Sequence, residues 1–165
     1  MSRLIEFYRS KSPDARGRML SDLWSLTDLQ MESVHDFIQW MFPLREPSRY
    51  NPDAPLLTDA DVAAFRSDPE IHDALRRSFG RFLAFLGLSF QRGEVVAASD
   101  FSRKSEVWRF PNHNWLRITR VLASLRILGL YEESRAFFEF LKAQRTRSTE
   151  IDAETFGYWE RAAEG

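Results

Sequence analysis

Five polar residues that could together bind an anion occur within nine positions in the second half of the chain. They are Asn112, His113, Asn114, Arg117 and Arg120. Asn112 is a typical helix N-cap, and the apolar periodicity after it predicts a helix that stops at Gly129. The free N–H groups and the dipole at a helix start favour negative charge. Arg117 and Arg120, three residues apart, can converge on one anionic group.

The faces of this predicted helix place Arg117 and Arg120 between two apolar strips. One strip holds Trp115, Ile118, Val121, Leu122, Leu125 and Leu128, and the other holds Leu116, Ala123 and Ile127. A helix that is apolar on two sides belongs inside a bundle, so both guanidinium groups need partners. Two interpretations remain open, an internal ion pair with Asp or Glu and a cleft for a carboxylate or phosphate. In either case we expect a carboxylate to contact Arg117.

A second candidate group, His35, Gln39 and Trp40, lies on a helix that we predict from Thr27 to Phe42, ended by Pro43. Its core face would hold Val34, Phe37, Ile38 and Met41. Trp40 and Gln39 fall off that face. Trp40 is therefore either covered by the proline-rich segment that runs to Pro55 or available to a partner.

Catalytic, metal-binding and cofactor-binding patterns are missing from the sequence. The chain has no cysteine, and its three histidines fall on three different predicted helices without ligand spacing. No phosphate-binding glycine loop, dinucleotide fingerprint, serine elbow or zinc-protease motif occurs. We therefore expect no catalytic residue, no metal and no cofactor.

Helix signals dominate the rest of the chain and predict an all-α fold, a single-domain bundle of roughly six or seven helices. Further helices are expected over residues 58–66, 69–86, 131–144 and 152–163, with one or two short ones around Pro13. A small β-hairpin is expected between residues 88 and 110, formed by Val95-Val96 and Val107-Trp108. The domain would span residues 1–165 and close with an acidic helix or tail over residues 148–165.

Charge is nearly balanced overall, at −1, but it is unevenly distributed. Residues 101–147 hold ten basic and four acidic side chains, a balance of +6. An alternative function is therefore nucleic-acid binding, with Arg103, Lys104, Arg109, Arg145 and Arg147 on phosphates and Trp108 or Phe110 stacking on a base. The N-terminus has no signal-peptide pattern and no apolar run is long enough to cross a membrane, which predicts a cytoplasmic protein.

Two stretches resemble the signatures of a known family. The segment from His35 to Leu44, HDFIQWMFPL, is similar to the HDYIQWLFPL signature of the opioid growth factor receptor conserved-region family, with Phe37 and Met41 as the two departures. The segment from Asn112 to Arg120, NHNWLRITR, resembles that family's second signature, NHN-x-LRITR. The resemblance covers residues 17–144, and the chain looks like a stand-alone, microbial member.

The vertebrate founder of this family is described as a receptor for the peptide met-enkephalin. For this chain the resemblance implies a small soluble binding or regulatory module whose ligand is a peptide, a protein or a small anionic molecule. We expect the two signatures to meet in space and to form one site from His35, Gln39, Trp40, Asn112, His113, Asn114, Arg117 and Arg120. The alternative is that both signatures encode helix packing and caps.

Overall fold

Ten helices and one β-hairpin make up the chain, and the computed structural model describes all of residues 1–165. The helices are α1 (Arg3–Tyr8), α2 (Leu20–Trp24), α3 (Asp28–Ser33), α4 (Ile38–Met41), α5 (Asp59–Ser67), α6 (Pro69–Phe85), a 3₁₀ helix (Phe101–Trp108), α7 (His113–Ile127), α8 (Tyr131–Arg147) and α9 (Ala153–Glu164). The strands are β1 (Leu88–Gln91) and β2 (Glu94–Ala97). The predominantly helical fold with a hairpin between residues 88 and 110 is confirmed. The elements form two compact units, residues 1–81 and 82–165, and the predicted domain limits stay a prediction.

Helix starts were well predicted because they depend on local side-chain chemistry. Thr58 and Asp61 form a capping box before α5, with hydrogen bonds of 3.1 and 2.9 Å between their side chains and each other's backbone N–H. Asn112 caps α7, and Asp152 caps α9 through the N–H of Thr155 at 2.7 Å. The predicted C-terminal helix over residues 152–163 is therefore present as α9.

The predicted single helix from Thr27 to Phe42 is wrong, because the chain leaves helical geometry between α3 and α4. Val34 is extended, with φ −93° and ψ 128°. Asp36 pairs with Arg16 at 2.9 Å and with Arg18 at 3.0 Å, and its carbonyl accepts a hydrogen bond from Asn51 at 3.3 Å. These contacts hold Asp36 outside a helix, although the apolar spacing on both sides of it fits one.

The first unit, residues 1–81, has an aromatic core. Tyr8 contacts Phe65 with ring centroids 4.8 Å apart, and Phe7 contacts Trp40 at 5.2 Å, both in edge geometry. The hydroxyl of Tyr8 donates to the carbonyl of Met41 and lies 3.2 Å from Ser78 Oγ, which also accepts from Trp24 Nε1 at 2.9 Å. The polar groups of this core are thus hydrogen-bonded.

The second unit, residues 82–165, is built around α7, whose faces position the candidate site. One strip of α7 is fully buried, as predicted, and Trp115 meets Trp159 of α9 with centroids 5.9 Å apart. The helix ends in a Schellman motif, in which Leu130 N–H donates to Leu125 O at 2.8 Å and Gly129, at φ 98°, donates to Arg126 O. This predicted stop leads directly into α8.

In the hairpin, β1 and β2 are antiparallel, and their register places Leu88 opposite Ala97. Val107 and Trp108, the strand partners expected from the sequence, belong instead to the 3₁₀ helix. The true turn, Arg92-Gly93, has φ values of 52° and 79°, which match a two-residue type I′ turn. The glycine at the second position of this turn is the sequence feature that could have predicted this register.

Candidate functional site

The second signature forms the start of α7, and Asn112 organises that start. Its Oδ1 accepts the N–H of Asn114 at 2.9 Å, and its Nδ2 donates to Val107 O at 3.0 Å and to Phe110 O at 2.6 Å. Trp115 Nε1 also donates to Val107 O, at 2.6 Å. The loop that precedes α7 is therefore fixed to its first turn by side chains of the helix.

Arg117 and Asn114 form a buried pair one turn into α7. Their exposed fractions are 5% and 2%, and Arg117 Nη1 donates to Asn114 Oδ1 at 3.3 Å. The predicted burial of Arg117 is confirmed, and its contact with a carboxylate stays a prediction. The apolar strip expected on the far side of α7 is only partly covered, since Leu116 is 58% exposed.

Half-buried polar residues lie next to this pair. Asn112, His113 and Arg120 are each intermediate in exposure. His113, Arg117 and Arg120 are four and three residues apart, so they follow one face of the helix. The buried amide–guanidinium pair thus forms an inner layer, and His113 and Arg120 are the members nearer to solvent.

The start of α7 differs electrostatically from the starts of the other long helices. Each of α5, α6, α8 and α9 has an acidic side chain in its first turn, and α7 has none. Beside it, the indole N–H of Trp108 is buried without a hydrogen-bond partner. The dipole of α7 is therefore not offset by an acid of its own first turn.

In the first signature, two of the three candidate residues are buried and one is exposed. Gln39 accepts a hydrogen bond from Asn51 at 3.3 Å and donates to His35 O at 3.4 Å. Trp40 is 2% exposed, because Phe7 packs on it and the guanidinium of Arg3 lies 5.5 Å from its ring centre. His35 is exposed. Both of these contacts to Trp40 come from helix α1, and coverage by the proline-rich segment stays a prediction.

An ion-pair network around the first signature was missed by the sequence reasoning. Asp14, 1% exposed, accepts from Arg18 Nε at 2.8 Å, and Arg18 also reaches Asp36, which pairs with Arg16 as well. The close spacing of three charged residues, Asp14, Arg16 and Arg18, is the sequence feature that could have predicted this network. Asp36 is therefore engaged in ion pairs within the first unit.

The structure brings the candidate residues together in two sets, one in each unit. His35, Gln39 and Trp40 lie in residues 1–81, and Asn112, His113, Asn114, Arg117 and Arg120 lie in residues 82–165. The formation of one site from both sets stays a prediction.

The basic segment considered for nucleic-acid binding is largely engaged within the chain. Lys104 donates to Ala84 O at 2.6 Å and, as the hydrogen-bond partner of Asp100, holds the pKa of that carboxyl below its usual range. Arg109 pairs with Glu106 at 2.9 Å, and Arg145 lies over the ring of Phe156. Trp108 is buried and cannot stack on a base, whereas Phe110 is 60% exposed.

Neither a membrane span nor a metal cluster is found in the structure. None of the helices combines the length and the apolar character that crossing a bilayer requires. No group of three or more His, Asp or Glu side chains is placed to hold a metal ion.

Comparison with known proteins gives one family. The model of the opioid growth factor receptor (OGFr) conserved region matches residues 5–159. The chain is 41% identical to the opioid growth factor receptor of Mus musculus and 40% identical to that of Homo sapiens, in each case over 133 residues, or 76% of this chain. It is 30% identical over 138 residues, 80% of this chain, to opioid growth factor receptor-like protein 1 of Mus musculus.

These relatives are much longer than the matched region. The match covers 21% of the mouse receptor, 20% of the human receptor and 29% of the mouse receptor-like protein. No solved structure matches the chain.

Proposed function

Because the chain belongs to the opioid growth factor receptor conserved-region family, we propose that it is a binding module that receives an anionic group of its ligand at the start of α7. Relatives that match it are named as receptors of a growth factor, so ligand recognition is the activity that we assign to this chain as well. The anionic group is a carboxylate or a phosphate, carried by a peptide or by a small molecule. We place this binding in the cytoplasm.

The buried pair of Arg117 and Asn114 carries this proposal. Arg117 is 5% exposed, and its position one turn inside a helix start adds its charge to the positive end of the helix dipole. The first turn of α7 contains no acid of its own. An anion near His113 and Arg120 would meet the positive end of the α7 dipole and would lie close to two guanidinium groups.

Each candidate residue then has a distinct role. His113 and Arg120, which are half-buried, contact the ligand, while Arg117 acts from the inner layer. Asn112 and Asn114 keep the first turn in place through their hydrogen bonds. In the first unit, His35 is assigned ligand contact because it is exposed. Gln39 donates to the carbonyl of His35 from a buried position, and the buried Trp40 packs on Phe7.

The test is a thermal-unfolding titration with inorganic phosphate, compared with sodium chloride at equal ionic strength. A ligand that binds only the folded state stabilises it in proportion to the logarithm of its concentration. We expect phosphate to raise the Tm of the wild type and of the control Arg103→Gln, which changes an exposed arginine. Arg120→Gln and His113→Gln should lose most of this increase.

The readout is the increase in Tm on adding phosphate, so a variant with a lower starting Tm remains informative. An equal increase in Arg120→Gln and in the wild type would contradict the assignment of the site. A wild type that responds to phosphate no more than to chloride would contradict anion binding itself.

A further inference from the structure

A groove of about 720 Å³ runs along β2 in the second unit, with α8 as its other wall. Its volume is in the range of ligand-binding clefts. The strand side consists of residues 93–97, and the helix side is formed by Glu132, Arg135, Ala136, Glu139, Phe140, Ala143 and Arg147. This groove is separate from the start of α7.

The groove follows the free edge of β2 rather than one face of the hairpin. Successive side chains of a strand point to opposite faces, so a cavity on one face touches only alternate residues. Here every residue of β2 lines the groove, and no residue of β1 does. The hairpin has only two strands, so β2 has no partner on this side.

The backbone of β2 directs hydrogen-bonding groups into this groove. Ala98 N–H donates to Gly87 O at 2.8 Å, which marks these two residues as a hydrogen-bonded pair. Antiparallel pairs alternate, so Leu88–Ala97 and Phe90–Val95 are non-hydrogen-bonded pairs. The N–H and C=O groups of Val95 and Ala97 therefore point away from β1, towards the position of a third strand.

The helix wall adds a charge pattern that an extended chain can match. Four charged and exposed side chains line the helix wall, Glu132, Arg135, Glu139 and Arg147, and Phe140 and Ala143 lie between the last two. Eight residues of α-helix span about 12 Å. Four residues of an extended strand span about 13 Å, and its alternate side chains share a face. A strand with a basic, an apolar and an acidic residue at alternate positions thus matches Glu139, the apolar wall and Arg147.

We propose that β2 accepts an extended segment of a partner protein as a third strand, one that carries a basic, an apolar and an acidic residue at alternate positions in either chain direction. Main-chain hydrogen bonds to Val95 and Ala97 bind the segment, and the α8 wall selects its side chains. This is a protein-docking surface in addition to the anion site of the proposed function. It uses none of the residues assigned there.

The experiment titrates the ¹⁵N-labelled full chain with two end-blocked peptides, Lys-Thr-Val-Thr-Glu and its reverse, Glu-Thr-Val-Thr-Lys. The two orders test the two strand directions, because Glu139 and Arg147 fix which end of the peptide is basic. We expect one order to bind, with shifted and exchange-protected amides at Val95 and Ala97. The same peptide N-methylated at alternate residues should not bind, because it cannot pair as a strand.

Two variants test the contacts from the protein side. Ala97→Pro removes an outward N–H that no hairpin bond uses, so it should abolish binding and leave the hairpin intact. Arg147→Glu should weaken the acidic-ended peptide about fivefold, as expected for an exposed ion pair. The Arg147→Glu variant should instead bind a peptide with lysine at both ends, because positions 139 and 147 of its wall are then both acidic.

Binding of neither peptide order, equal binding of the N-methylated peptide, or shifts confined to the start of α7 would each overturn the proposal. If Ala97→Pro did not fold, the N-methylated peptide would still decide the question. The phosphate titration is independent of these results, so failure of strand addition does not imply failure of the anion site.

Discussion

Tyr8 is a buried phenol whose ionisation opposes folding. Burial raises the pKa of Tyr8 well above its usual range, more than its hydrogen bond to Ser78 lowers it. In the unfolded chain tyrosine ionises near pH 10. Its stabilising contribution is therefore complete below about pH 10 and is lost as the pH rises from there towards the pKa of the folded state.

We expect urea unfolding of the wild type to show a free energy of unfolding that falls between about pH 9.5 and 11. Tyr8→Phe should be about 1 kcal/mol less stable at pH 7, because the hydrogen bond to Met41 is lost. It should also show a smaller alkaline decrease. Tyr50→Phe, at a 74% exposed position, is the control and should behave as wild type. An unchanged alkaline slope in Tyr8→Phe would contradict this account.

Arg117 tests whether the planar shape of a guanidinium is needed in the inner layer of the site. Arg117→Lys keeps the charge but replaces several fixed donors with one ammonium group. We expect the free energy of unfolding, measured in urea at pH 7, to fall by about 1.5 to 3 kcal/mol, the range for hydrogen bonds to charged groups. Arg103→Lys, at an exposed position, should stay within about 0.5 kcal/mol of wild type. A loss no larger than that of the control would mean that a point charge is sufficient at position 117.

At the scale of the element, two glycines with nearly the same positive φ separate backbone strain from steric crowding. Gly87 and Gly93 have φ values of 77° and 79°, so alanine is strained at both. A Cβ at Gly87 would lie 2.9 Å from the Cα of Phe101, whereas a Cβ at Gly93 would meet nothing within 4 Å. Glycine is thus required at the end of α6 by both the positive φ and the contact with Phe101, whereas in the hairpin turn only the positive φ requires it.

We expect Gly93→Ala to lower the free energy of unfolding by about 1 to 2 kcal/mol, the cost of the left-handed conformation. Gly87→Ala should cost clearly more. Gly80→Ala, in the middle of α6 with open space around it, should raise stability by about 0.5 to 1 kcal/mol. Chemical denaturation of the three variants gives this order, and equal losses at positions 87 and 93 would mean that Phe101 moves aside without cost.

The elements also show which parts of this structure a sequence can predict. The limits of α5, α6 and α7 follow from caps and stops such as Thr58, Pro69 and Gly129, which act on the nearest backbone groups. The break before α4 depends on Arg16 and Arg18, about twenty residues away. The same apolar spacing fits both one long helix and two short ones, so periodicity alone could not decide between them.

The candidate site divides in the same way. Burial of Arg117 was predictable, because it lies between apolar residues of one amphipathic helix. For Trp40 the sequence leaves coverage and exposure open, because Phe7 and Arg3 contact it from a helix whose position the sequence does not reveal. The buried N–H of Trp108 gave no signal, since the segment read as a strand.

For the molecule as a whole, balanced net charge conceals local compensation. Several basic residues of the segment 101–147 are matched within the second unit, as Lys104 is by Asp100 and Arg109 is by Glu106. Counting charges along the chain overstates the field available to a polyanion, because short-range pairs cancel within a few ångströms. The first turn of α7, by contrast, contributes no acid of its own.

The free edge of β2 also bears on the tendency of this chain to aggregate. A strand edge that can receive a partner can equally template assembly of further copies into fibrils, and this hazard grows with the length and flatness of the edge. Here the strand has four residues and begins with the charged Glu94. Mutations that lengthen β2 or replace Glu94 with an apolar residue would extend the self-templating surface. The short β2 and its leading charge therefore limit self-assembly of this chain.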